Sequence, residues 1–248
     1  MKPLFLGLLL TFTLPSCNFR NTSPDKLWLY THSSGPASAR DTLLTPASFL
    51  LLNKNGSYSK DFGTFEYGTW QEDEMHLILT DQYGKTSQLV FKPSGAKEMQ
   101  INTPGGDVAN FESQEVPAAN ENPFSKENNE WRMRATAKEK DAELRQRLLN
   151  HCRFWELYFS WALKNEFSTI DVRSTPTLIK IYGNGFAVKP FEELPETWKK
   201  YFYDEEDCRK ANEQMTAVFR DHDIAWSKSD NKFKMFISAF QQLQQYLK

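Results

Sequence analysis

Several features that would assign a function directly are missing from this chain. Beyond residue 14 it has no apolar run of the about 20 residues that a membrane-spanning helix needs. Its formal net charge is −2, with both signs spread along the chain, so it lacks the basic stripe of a nucleic-acid-binding protein. Its three cysteines include no Cys-x-x-Cys pair, which excludes the usual dithiol redox centre. No cofactor or metal motif is present, and we expect neither kind of group.

The first 16 residues predict a signal peptide. Lys2 supplies a positive charge, and residues 4–14 are almost entirely apolar. Eleven helical residues extend about 16 Å against roughly 30 Å of hydrocarbon, so this segment is too short to span a bilayer. Residues 14–17, Leu-Pro-Ser-Cys, resemble a lipobox, where bacterial lipoprotein signal peptidase cleaves before a cysteine that carries lipid. The resemblance implies a mature chain that begins at Cys17 and bears palmitate or similar acyl chains; the alternative is an ordinary signal peptide with an accidental cysteine.

The residues after Cys17 bear on localisation. In enterobacterial lipoproteins, an aspartate directly after the lipidated cysteine retains the protein at the inner membrane, and Asn18 stands there in this chain. By that resemblance we expect a cell-envelope protein held by lipid at the outer membrane and facing the periplasm, with exposure at the cell surface as the alternative. Residues 17–25 are polar and form the predicted tether.

Cys152 and Cys208 remain once Cys17 carries lipid. An even pair in an oxidising compartment is compatible with a disulfide. Both residues also lie on apolar stripes of predicted helices, where a free cysteine packs as a small hydrophobic side chain. The sequence leaves both alternatives open.

Residues 26–115 have the pattern of an antiparallel β domain. Leu27, Leu29 and Thr31 alternate with larger side chains, and short apolar runs recur about every ten residues with turn residues between them. Asn55-Gly56 separates two such runs and is a strong hairpin signal. This spacing predicts a β meander that closes, or nearly closes, into a barrel; a β-sandwich or an open sheet is the alternative.

Three segments of this region resemble a known class of domain. Residues 49–58, 67–70 and 77–79 are similar to the small lipocalin-like domains of bacterial lipoproteins of the Bacteroidota type. The resemblance covers about a third of the chain and implies an eight-stranded up-and-down barrel. An interior cavity of a few hundred Å³ would then bind a small apolar or amphipathic ligand.

Residues 116–122 interrupt both periodicities and predict a linker, and residues 123–248 predict a mainly helical domain with one hairpin. Asn122-Pro123 is typical of a helix start, and the apolar spacing from Trp131 to Leu163 favours one long helix. A hairpin is predicted between residues 178–182 and 186–188, followed by a helix capped by Asp204 and a last helix after residue 231. The expected fold class is therefore α+β.

No group of residues forms a recognisable catalytic site, and we expect a non-enzymatic protein. His151, the Asp-His-Asp triplet at 221–223 and the acidic run at 204–207 are better explained by packing, a polar helix end and helix capping. Among the seven tryptophans, Trp198 and Trp226 lie in less regular stretches and are the better ligand candidates. The expected function is binding of a small amphipathic ligand or docking of an envelope protein partner. The alternatives are an envelope hydrolase with a site between the two domains, and a scaffold subunit of an envelope complex.

Overall fold

The structure is a computed structural model, described here for residues 25–34, 44, 47–73, 76–93, 97–102, 108–165, 178–182, 185–224 and 231–248. It contains a β region followed by a helical region with one hairpin, which confirms the α+β class. The β region consists of β1 (Lys26–Ser34), β2 (Phe49–Leu52), β3 (Ser57–Asp61), β4 (Phe65–Asp73), β5 (His76–Asp81), β6 (Thr86–Pro93), β7 (Glu98–Asn102) and β8 (Val108–Gln114). The helical region consists of α1 (Asp141–Lys164), β9 (Ile179–Tyr182), β10 (Gly185–Val188), α2 (Glu196–Lys199), α3 (Glu205–Asp221) and α4 (Lys232–Leu247).

The eight N-terminal strands form a closed antiparallel barrel in which each strand pairs with the next and β8 returns to β1. The predicted hairpin is present: Gly56 has a φ of 82°, and its N–H donates to the Asn53 carbonyl at 2.9 Å. β4 and β5 approach closely at Gly68, where an added Cβ would lie 1.9 Å from the Thr80 carbonyl oxygen. A side chain at this position would force the two strands apart.

Side chains fill the described part of the barrel interior. Ten buried residues from six of the strands meet there: Leu50, Leu52, Tyr58, Trp70, Leu77, Leu79, Met99, Ile101, Ala109 and Phe111. Each exposes 4% or less of its surface, and five partly buried side chains pack against them: Trp28, Tyr30, Leu44, Phe62 and Leu89. An eight-stranded barrel is just wide enough either for such a core or for one small ligand. The interior cavity expected from the sequence is therefore not seen among these residues.

The outer face of the first strands belongs to the core of the helical region. Leu27, Phe49 and Phe65 point away from the barrel interior and pack in one buried cluster with side chains of α1, α3 and α4. The Ser59 hydroxyl on β3 donates to the Phe124 carbonyl at 2.7 Å. This buried hydrogen bond connects the barrel to the segment that follows it. The barrel and the helices therefore share one continuous core.

The prediction of a helix from Pro123 onward is wrong, because α1 begins only at Asp141. Residues 122–140 form an irregular segment held by asparagine side chains that bond to its backbone. The Asn122 carboxamide accepts from the Phe124 N–H at 2.9 Å, and the Asn129 Nδ2 donates to the Pro123 carbonyl at 2.6 Å. These local bonds compete with the helical hydrogen bonds that the apolar spacing suggests.

The remaining helical predictions are confirmed. Asp204 caps α3 by accepting from the Asp207 N–H at 3.0 Å, and β9 pairs with β10 as predicted. α1 packs along α4 through the buried aromatic side chains of its last turns. None of the helices in the described ranges is long and apolar enough to cross a membrane. The signal peptide, Cys17, nearly all of the tether and Trp226 lie outside the described residues.

Candidate functional site

A cleft of about 650 Å³ lies where one end of the barrel meets the helical region. One wall comes from the β3–β4 and β5–β6 turns, and the other from residues 132–134 and the segment around α2. We call this cavity the rim cleft. The residues that line it include Phe65, Glu66, Asp81, Tyr83, Arg132, Met133, Arg134, Glu196, Lys199, Lys200, Phe202, Tyr203, Asp204 and Glu205.

A buried ion pair fixes the two walls relative to each other. Arg132 Nη1 of the helical region donates to Asp61 Oδ2 at the end of β3, and both side chains are almost fully enclosed. The other carboxylate oxygen of Asp61 accepts from the Gly63 N–H at 2.9 Å, which shapes the β3–β4 turn. The same carboxylate therefore holds the turn and the helical wall of the rim cleft.

Arg132 is surrounded by aromatic rings. Its guanidinium lies 4.2 Å from the ring centroid of Phe154 and 5.0 Å from that of Trp131. Burial lowers the pKa of Arg132 from its ordinary value. Stacking on two rings and pairing with Asp61 compensate a guanidinium that has lost its water. This arginine is a structural element of the cleft wall rather than a group free to bind a ligand.

Two exposed tyrosines line the same cleft. Tyr83, in the β5–β6 turn, is 77% exposed, and Tyr203, just before α3, is 42% exposed. Among the described residues, these two tyrosines are the large hydrophobic side chains that are exposed. Tyrosine is enriched where proteins contact partners, because it offers a large rigid surface with a polar end. Their presence on one cavity makes this cavity a candidate binding surface.

The carboxylates of the rim cleft are already engaged. Glu66 pairs with Lys60 at 2.7 Å, and Glu196 pairs with Lys199 at 2.8 Å. Glu205 pairs with Arg209 at 2.9 Å, and Asp204 lies 3.5 Å from Lys138 while it caps α3. Asp81 accepts backbone N–H groups from Tyr83 and Lys85.

The predicted candidate residues are not brought together. His151 is buried in the helical core between Trp131 and Trp198, with ring centroids 4.8 and 4.7 Å away, and neither ring nitrogen has a hydrogen-bond partner among the described residues. Burial, followed by the charge of Arg132, lowers the pKa of His151 well below its ordinary value. His222 instead stacks on Tyr246 at 3.8 Å. The convergence of His151 or His222 with a nucleophile and a carboxylate, which the hydrolase alternative requires, is absent among the described residues.

The other candidates have local structural roles. Asp221 pairs with Arg220 at 2.7 Å, and no group of three metal-ligating side chains exists within the described ranges. Cys152 and Cys208 are free, buried thiols, so the disulfide left open by the sequence is not formed. Burial raises the pKa of the Cys208 thiol to about 12 and also raises that of Cys152. Neither cysteine is placed to act as a nucleophile.

Trp198 is not a ligand contact, because it is 4% exposed and packs against His151, Trp131 and Phe202. The sequence interpretation instead passed over Tyr83 and Tyr203. The available signal was an aromatic residue inside a polar turn, Gln82-Tyr83-Gly84, and a tyrosine directly before the acidic cap of α3.

A second cavity of about 420 Å³ lies between residues 115–121 and the C-terminal turns of α1. Leu157 and Trp161 provide its apolar part, and Glu121 and Lys164 lie at its edge, 4.0 Å apart. Both large exposed tyrosines belong to the rim cleft instead, and we therefore take the rim cleft as the candidate site.

Comparison with known proteins does not add to this assignment: no family model, curated protein or solved structure matches the chain.

Proposed function

We propose that this protein is a lipid-anchored, non-enzymatic protein of the bacterial cell envelope that docks a partner protein in the rim cleft. The observation that carries the proposal is the placement of Tyr83 and Tyr203, two exposed aromatic side chains from distant parts of the chain, on one cavity. The ten buried side chains in the described part of the barrel interior favour docking at the rim cleft over a carrier with its ligand inside the barrel.

The rim cleft has the size and rigidity of a docking site. Its 650 Å³ falls within the range of cavities that hold ligands or short peptide segments. The Asp61–Arg132 pair and the shared apolar core hold its walls in place, so little ordering is needed when a partner binds. A preformed site of this kind favours binding without a large conformational change.

The direction of the strands places the proposed anchor and the rim cleft at opposite ends of the barrel. β1 begins at Lys26, nine residues after Cys17, and runs toward the end of the barrel that carries the β3–β4 and β5–β6 turns. Strands of this length, tilted as in other small barrels, separate the two ends by about 20 Å. A lipid on Cys17 would therefore present the cleft away from the membrane, where a partner can reach it.

Site-specific photo-crosslinking in the producing cells tests the docking function. We would place a benzophenone amino acid at Tyr83 and, as a matched control, at Lys54, which is exposed at the other end of the barrel. The proposal expects a discrete protein adduct from position 83 and none from position 54. Equal adducts from both positions, or none from position 83, would contradict it.

Labelling with radioactive palmitate tests the anchor separately. Cys17→Ser should abolish both the label and recovery in the membrane fraction, whereas Cys152→Ser should retain both. A label that survives Cys17→Ser would refute lipidation at this cysteine without affecting the assignment of the rim cleft.

A further inference from the structure

We infer that the segment of the partner held in the rim cleft is an acidic peptide, bound through Arg134 and Lys200. This inference rests on the proposed docking function and specifies the chemistry of the partner. It follows from a count of which charges in the cleft are already compensated by the protein and which are not.

Two of the four cations that line the cleft are used within the protein. Arg132 pairs with Asp61, and Lys199 pairs with Glu196. Arg134 and Lys200 differ, because no carboxylate of the described residues lies within 4 Å of either one. Both are exposed and lie on the helical wall, so that wall presents uncompensated positive charge.

Arg134 lies beside one of the two exposed tyrosines. Its Nη2 donates to the Tyr203 carbonyl at 3.4 Å, a long contact to backbone that engages one of the five N–H donors of a guanidinium. The remaining donors are available for a carboxylate, which an arginine can bind in a bidentate manner. Arginine and tyrosine are among the residue types that contribute most binding energy in protein interfaces, and here the two lie side by side.

The apolar part of the cleft favours a peptide over an acidic sugar. Met133 is half-buried and lines the cavity next to the charged wall, together with the exposed rings of Tyr83 and Tyr203. Apolar side chains of a peptide could contact these groups while neighbouring carboxylates reach Arg134 and Lys200. A carboxylated sugar would pair with Arg134 and Lys200 but would bring no apolar side chain to the apolar part of the cleft.

The barrel wall sets the orientation of such a peptide. Asp81 lines the cleft without a cation partner among the described residues, and its carboxylate lies on the β5–β6 turn opposite the helical wall. A bound carboxylate would be repelled from this turn and attracted to Arg134 and Lys200. We therefore expect acidic residues of the peptide along the helical wall and uncharged ones near Tyr83.

Selection from a phage-displayed library of random twelve-residue peptides tests the inference. The target is the mature protein, purified from its own envelope in detergent. Three variants accompany the wild type: Arg134→Gln/Lys200→Gln, the control Lys54→Gln/Lys234→Gln with two exposed lysines outside the cleft, and Tyr83→Ala/Tyr203→Ala. Oligogalacturonate serves as the carboxylated sugar in a parallel binding assay.

We expect the wild type and the lysine control to select peptides enriched in Asp and Glu over the input library. The selected peptides should bind Arg134→Gln/Lys200→Gln about tenfold more weakly, the effect of losing two exposed charge contacts. Binding should also weaken as salt is raised, since exposed charges are screened.

The other outcomes separate the two claims. Peptides that need Tyr83 and Tyr203 but show no acidic enrichment, or that bind the Arg134/Lys200 variant equally well, would overturn the acidic-peptide inference and leave docking intact. Oligogalacturonate binding that depends on Arg134 and Lys200, without any selected peptide, would overturn the peptide as occupant and favour an acidic sugar. Peptides indifferent to Tyr83 and Tyr203, or no binding of either probe, would contradict the proposed docking function itself.

Discussion

Arg132 and Asp61, 71 residues apart in the sequence, form a buried ion pair that connects the helical region to the end of β3. The carboxylate also holds the β3–β4 turn through the Gly63 N–H, and the guanidinium stacks on Phe154. This single contact therefore links the barrel turn, the helical core and the wall of the rim cleft.

Breaking this ion pair should be costly. Asp61→Asn leaves Arg132 charged and buried without compensation, and we expect a loss of about 3–5 kcal/mol in the free energy of unfolding. Urea denaturation followed by circular dichroism measures this loss. The control is Glu130→Gln, which removes the exposed partner of Lys126 and should cost less than about 1 kcal/mol. Similar losses in the two variants would show that the Asp61–Arg132 pair does not stabilise the fold.

Removing both charges should be less harmful than removing one. Arg132→Met with Asp61→Leu replaces the pair by apolar side chains of similar size, which is often nearly neutral in buried positions. We expect the double variant to be more stable than Asp61→Asn in the same urea experiment. A double variant as unstable as the single one would assign the loss to packing rather than to the unpaired charge.

His151 should make stability depend on pH. Its folded pKa lies below the unfolded value of about 6.5, so the unfolded chain binds more protons as the solution becomes acidic. The contribution of His151 to the free energy of unfolding is fully present above about pH 6.5. It is lost as the pH falls below this value, by up to about 1.4 kcal/mol per pH unit. His151→Phe should remove this part of the pH dependence in urea denaturation between pH 5 and 8.

The matched control is His32→Gln, at an exposed position on β1. It should retain the pH dependence of the wild type. If His151→Phe retains it as well, another group is responsible for the acid sensitivity.

Gly68 should not tolerate a side chain. An alanine Cβ would meet the Thr80 carbonyl oxygen at 1.9 Å, which the backbone of β5 cannot relieve by a side-chain movement. Gly68→Ala is therefore expected to lower the free energy of unfolding by more than about 3 kcal/mol, or to prevent folding. Gly185→Ala in β10, where a Cβ meets no atom within 4 Å, is the control and should change the melting temperature little. A folded Gly68→Ala protein with unchanged melting temperature would contradict the close approach of β4 and β5.

The thiols of Cys152 and Cys208 should be unreactive in the folded protein. Both are buried, and burial raises the pKa of each, so little thiolate exists at pH 8. We expect Ellman's reagent to label neither thiol in the native mature protein and both after denaturation in guanidinium. Rapid labelling of the native protein would contradict the burial, and absence of labelling after denaturation would reveal a disulfide.

Local patterns account for what the sequence predicts well. Alternation around Leu27 and Leu29 marks a strand that serves both the barrel interior and the helical core, and Asp204 marks the start of α3 by its capping chemistry. These signals depend on neighbours along the chain, and the structure confirms them.

The errors have a different origin. Trp131 and Ala135 are spaced as in a helix, yet the asparagine side chains at 122 and 129 satisfy the local backbone in another way. The rim cleft combines residues near positions 65, 83, 133 and 201, and no local pattern reveals that these segments meet. Its location depends on the barrel closing against the helices, which is a property of the tertiary fold.

Nuclear magnetic resonance mapping tests the docking cleft most directly. Amide shifts of the ¹⁵N-labelled mature protein would be followed as the strongest selected peptide is added. If the peptide docks in the rim cleft, the shifts will be concentrated at residues 63–66, 82–84, 132–134 and 200–204. Shifts concentrated instead at the amides of Leu50, Trp70 and Phe111, whose side chains form the barrel core, would place the ligand inside the barrel and refute docking in the rim cleft.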